Sequence, residues 1–70
     1  MVREKVESTS LASVGYDAET QVLEVEFHSG SIYQYLNVPV EVYNELMAAE
    51  SHGSYFANFI RNNYQFRQIK

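Results

Sequence analysis

The residues most able to do chemistry are few. His28 and His52 are the only imidazoles, and neither has a carboxylate or second histidine at Glu-x-x-His or His-x-x-x-His spacing. That spacing is what puts two ligands on one helix face, so a metal centre is not expected. Glu24 and Glu26 stand two apart, which on a strand places both carboxylates on one face. Paired carboxylates can serve acid–base chemistry, but no nucleophile or histidine accompanies them, and they read as a solvated face. Ser8, Ser10, Ser13 and Ser51 lack a G-x-S-x-G elbow, and Gly15, Gly30 and Gly53 are too scattered to cradle a phosphate. With no cysteine in the chain, thiolate chemistry is absent. The expectation is a protein that is not an enzyme and carries no cofactor.

What remains suits binding. Arg61, Tyr64, Arg67 and Lys70 are interleaved with Asn62, Asn63, Gln65 and Phe66. Bases mixed with aromatic and amide groups fit single-stranded RNA, through phosphate pairing and stacking. The competing reading is a solvated helix end, where cations are also favoured. Charge is unevenly placed. All nine acids fall in residues 1–50 with two bases, giving -7, and residues 51–70 carry three bases and no acid, giving +3. The overall -4 argues against broad affinity for nucleic acid and leaves room for a local contact.

The elements that must position these residues follow from periodicity. Seventy residues make one domain, here a polar lead-in over 1–9 and a folded unit over 10–70. SLASVGYD alternates, with Ala12, Val14 and Tyr16 on one side, and Asp17 can hold the following turn by an Asx hydrogen bond. QVLEVEF sets Leu23, Val25 and Phe27 against Glu24 and Glu26. SIYQYLNV makes a third strand. At Pro39 the period changes from two to 3.6, and PVEVYNELMAAE carries Val42, Leu46 and Ala49 on one stripe. SHGS interrupts, Ser54 is a candidate N-cap, and the second helix stripe is Phe56, Phe59, Ile60 and Tyr64. The expected fold is α+β: a three-stranded antiparallel meander followed by two helices packed on one face (β-β-β-α-α). No apolar run is long enough to span a bilayer, so no membrane partner is expected and a soluble, cytoplasmic protein is.

The strand face taken by Tyr33 and Tyr35 depends on one turn. If His28, Ser29 and Gly30 form a three-residue loop with Gly30 left-handed, Val25 lies opposite Tyr33 and Leu23 opposite Tyr35. Both rings then join the core face, and Ile32 and Leu36 point outward as a candidate interface for a protein partner or a second copy. If the loop is only Ser29-Gly30, every side chain flips and the tyrosines stand beside Glu24 and Glu26. The first register is favoured, because it gives glycine the position that needs glycine and leaves Gln34 outward.

Across nearly its whole length the sequence resembles the KTSC domain family, named for the C-terminal end of some lysyl-tRNA synthetases and also found as small free-standing bacterial proteins. The resemblance is carried by VGYD at 14–17, LEVEF at 23–27, the family's Tyr33-Gln34-Tyr35, VPVEVY at 38–43 and AESHGSYF at 49–56, followed by Ile60 and Tyr64. Within it, Ala57 stands where the family often has asparagine, and Arg61 is the one base along the second helix. The resemblance implies a domain of undetermined role, with single-stranded RNA or tRNA as the implied partner. The competing class is a protein-interaction or self-association module.

Overall fold

Leu23 and Val25 are fully buried while Glu24 between them faces the other way, so the alternation in QVLEVEF does set one face of a sheet against a core. A computed structural model describes residues 1–70. Its elements are β1 (Glu4–Lys5), β2 (Leu11–Asp17), β3 (Val22–Phe27), β4 (Ile32–Tyr35), α1 (Val40–Ala48), α2 (His52–Tyr55) running on into a π-helical turn (Phe56–Ile60), and β5 (Phe66–Gln68). The strands form one antiparallel sheet in the order β1-β2-β3-β4-β5. The fold is therefore α+β as expected, but the sheet has five strands rather than three, and the second helix is followed by a strand. The two added strands are the edges. Each is too short, at two and three residues, to display an alternation.

The loop between β3 and β4 takes the three-residue form. Gly30 has φ of 97° and its N–H donates to the Phe27 carbonyl at 2.9 Å. Val25 pairs with Tyr33 and Leu23 with Tyr35, which puts both tyrosines on the core face. The Asx turn also forms, with Glu19 N–H donating to Asp17 Oδ1 at 3.0 Å.

On β2 the simple alternation fails. A bulge between Leu11 and Ser13 shifts the register against β3. Leu11 joins Val14 in the core, in place of the Ala12 expected there, and Ser13 is buried on the opposite face. The lead-in is likewise ordered: Glu4 and Lys5 pair with Val14 and Ser13. Gly15 makes the approach possible, since a Cβ there would stand 2.8 Å from the Val2 carbonyl oxygen.

Pro39 stands at the N-cap position of α1, one residue before the first turn where the sequence places it, and Glu41 occupies that first turn as expected. The next cap is Ser51, not Ser54: its hydroxyl accepts from Ser54 N–H at 3.1 Å, so α2 begins at His52. The His52 Nδ1 donates to the Leu46 carbonyl at 2.8 Å, which also accepts from the Ala49 N–H, and so ties the start of α2 to the end of α1. Past Tyr55 the helix widens, and Arg61 N–H donates to the Phe56 carbonyl five residues back. The wider turn keeps Phe56 and Ile60 buried but swings Phe59 out of the stripe to 54% exposure. The core is closed by Leu11, Val14, Leu23, Val25 and Tyr35 from the sheet, Val38, and Leu46, Phe56 and Ile60 from the helices. No helix is long and apolar enough to cross a membrane.

Candidate nucleic-acid interface

The aromatic residues of the sheet's core face do not all disappear into the core. Tyr35 is buried, Tyr33 and Phe27 are half-buried, and Phe66 on β5 is 55% exposed. Pairing of β4 with β5 sets Phe66 opposite Tyr35. Phe66 lies 5.6 Å, centroid to centroid, from both Tyr33 and Tyr35. Phe56 meets Tyr35 edge-on at 5.3 Å, and Phe27 meets Tyr33 edge-on at 5.7 Å. Between these rings opens a cleft of about 320 Å³, lined by Phe27, Tyr33, Tyr35, Phe56, Phe66, Arg61 and Asn62. The two polar members come from the end of the π-helical turn, where the widened helix delivers them to the cleft.

The electrostatics of the cleft are one-signed. Burial raises the Tyr35 hydroxyl pKa above the ordinary tyrosine value, and neighbouring Tyr33 adds to that, while the Arg61 guanidinium pulls the other way. Arg61 and Tyr35 line the same cleft. No carboxylate lines the cleft. Arg61 takes part in no ion pair, since the chain's ion pairs all belong to Arg3.

The opposite face of the same strands is a polar ladder. Arg3 pairs with Glu24 and donates from Nε to Ser13 Oγ at 3.0 Å; Ser13 donates onward to Glu26 at 2.8 Å. Gln34 donates to Glu24 at 2.8 Å, and Arg67 Nε donates to Gln34 Oε1 at 2.8 Å. The chain of contacts runs from the N-terminal lead-in across β2, β3 and β4 to β5. Glu24 is only 5% exposed. Burial alone would raise its pKa, but hydrogen bonds from Gln34 and Arg3, with the Arg3 and N-terminal charges, hold it below the usual carboxylate value. Glu24 and Glu26 are thus bonded members of a network and not the solvated pair that their spacing suggests.

The residues singled out from the sequence divide between these faces. Tyr33, Tyr35 and Arg61 come together in the cleft. Arg67 lies across the sheet, bonded to Gln34, and is not brought near Arg61. Tyr64 packs half-buried against the core, and Lys70 is exposed at the chain end, its carbonyl accepting from Ile32 N–H at 2.8 Å. Ile32, expected to point outward as an interface with Leu36, is 7% exposed and Leu36 is half-buried, because β5 and the residues after it lie alongside β4. The residues missed were Phe66 and Asn62 as partners of the tyrosines. The only signal for them was the aromatic and amide composition of NNYQF; their place in the cleft depends on the unanticipated β5.

Comparison with known proteins places these features in a family. The KTSC domain model matches residues 7–64. An uncharacterized protein of Stutzerimonas stutzeri is 44% identical over 70 residues, covering 99% of both chains. A lysine–tRNA ligase of a Nostoc species is 42% identical over 65 residues, which is 93% of this chain and 12% of that enzyme. The crystal structure of a KTSC domain protein from Yersinia pestis superposes with a TM-score of 0.96 at 35% identity, covering 99% of this chain and 97% of that one. By sequence and by fold alike, this chain belongs to the KTSC domain family.

Proposed function

We propose that the protein is a non-catalytic module that binds single-stranded RNA, with the aromatic cleft as its contact surface. The observation that carries this reading is the convergence of Tyr33, Phe66, Arg61 and Asn62 on one open cleft. Aromatic rings left half in water offer stacking platforms, each worth about 1–3 kcal/mol per base. A guanidinium and an amide beside them supply the polar contacts that single-stranded recognition uses. The matching segment inside lysine–tRNA ligases supports an RNA ligand for this module too.

Electrostatics supply little of the affinity. Arg67 is tied to the far face, so at most Arg61 and Lys70 serve one strand. At roughly -0.7 per phosphate contact, the slope of log affinity against log salt should be no steeper than about -1.4. Titration of a short single-stranded RNA at low and moderate salt tests the reading. The expected result is binding with that shallow slope, lost in Phe66→Ala. No binding at low salt would remove RNA as the ligand, and a steep slope would move the contact away from the cleft.

A further inference from the structure

The cleft has a shape and a polarity that select among bases. We propose, resting on the single-strand reading above, that it receives one unpaired guanine. Its five rings provide flat apolar walls, yet two hydroxyls, a guanidinium and an amide also border it. None of these groups is hydrogen-bonded within the chain, and none is sealed from water. An apolar side chain entering the cleft would strip water from them without replacing it, which costs about 1–3 kcal/mol per group. A heteroaromatic base satisfies both demands, with its faces on the rings and its edge on the polar groups.

The base must be unpaired. Stacking on Tyr33 or Phe66 uses a ring face that neighbouring bases cover in a duplex, and a single strand gives up that cover at least cost. Phe66 suits such an entry: it is half in water and sits on a three-residue edge strand.

Guanine follows from the donors available. The one charged group in the cleft is Arg61, whose guanidinium only donates. Guanine presents two adjacent acceptors, N7 and O6, and a fork of two parallel N–H groups fits them. Adenine puts an amino donor beside N7, which would face the cation. Uracil separates its carbonyls by an N–H. Cytosine has adjacent acceptors but a smaller ring to cover Phe66 and Tyr33.

The test uses four RNA pentamers, each a uridine host with a central G, A, C or U, titrated into the intact protein at low salt. The G pentamer should bind roughly tenfold tighter than the others, the discrimination typical of a bidentate contact. Arg61→Lys keeps the charge and loses the fork, so it should bring the four affinities together without abolishing binding. Arg61 is exposed, so folding is not at risk, and circular dichroism of the variant verifies this. Equal binding of all four pentamers by the native protein would overturn the guanine assignment and leave the single-strand reading in place. So would a preference for cytosine, or a guanine preference that survives Arg61→Lys. Binding of none of the four would overturn both.

Discussion

The two faces of the sheet are made by alternate residues of the same strands, yet they differ in how fully their polar groups are used. On the ladder face Glu24 bonds to Arg3 and Gln34, Ser13 lies between Arg3 and Glu26, and Gln34 bonds to Arg67. On the helix face Tyr33, Tyr35, Arg61 and Asn62 border a cleft without bonding to one another. The ladder spends its donors and acceptors on holding the two short edge strands. The cleft leaves its own without partners in the chain.

The sharpest way to break this contrast is to attack the part of the helix face that is structural. Phe56 is 4% exposed and meets Phe27 and Tyr35 edge-on. Phe56→Ala should destabilise by roughly 3–5 kcal/mol, enough to unfold most of the population. Chemical denaturation checks it, and a near-native midpoint would mean that the helix does not close the core through this ring.

The ladder comes next. Glu24→Ala removes the nearer partner of Arg3, leaving Glu26 at 4.0 Å, and strands the Gln34 amide; it should cost about 2 kcal/mol, below the range for a fully broken buried pair because Arg3 is partly in water and keeps Glu26. The same group predicts an acid response. Its folded pKa is depressed, so its contribution is complete above the unfolded glutamate value of about 4.3 and is lost as pH falls through the lower folded value. Glu24→Gln should therefore be less stable than the native chain at neutral pH and show a flatter loss below about pH 4. Parallel curves for the two proteins would take Glu24 out of the ladder's energetics.

Tyr33 separates the two roles of the helix face. It is half-buried, and Tyr33→Ala should cost about 1–2 kcal/mol, well short of Phe56→Ala. An effect as large as that of Phe56 would make Tyr33 a core residue rather than a cleft wall.

Much of this contrast was legible in the sequence, and the limits have physical causes. Gly30 fixed the register of β3 and β4, because a three-residue loop needs a left-handed residue, and with it the face of both tyrosines. Pro39 marked the start of α1. The bulge at Ala12 was not legible, since nothing in SLASVGYD distinguishes a bulged strand from a regular one. Nor were β1 and β5. Two or three residues carry no period, and what holds them is the ladder, a set of contacts between Arg3, Glu24, Gln34 and Arg67 that lie far apart in the chain. With β5 unread, Phe66 stayed hidden; its presence beside β4 buries Ile32 and separates Arg67 from Arg61. For the same reason half of the cleft was legible and half was not: Tyr33, Tyr35 and Arg61 stand out by type, whereas Phe66 and Asn62 become part of the site only through the folded chain.

A single-stranded RNA bound by this chain should go to the cleft and not to the ladder. Phe66 and Arg67 are neighbours in sequence on the same edge strand, and one faces each side. Measuring the affinity of Phe66→Ala and Arg67→Ala for one short single-stranded RNA at low salt therefore compares the two faces directly. Loss of a stacking ring should weaken Phe66→Ala by roughly tenfold or more, while Arg67→Ala stays within about a factor of 2–3 of the native protein, as expected for a cation making no phosphate contact. Native-like binding by Phe66→Ala, with the loss falling on Arg67→Ala, would place the ligand on the ladder face and contradict the account.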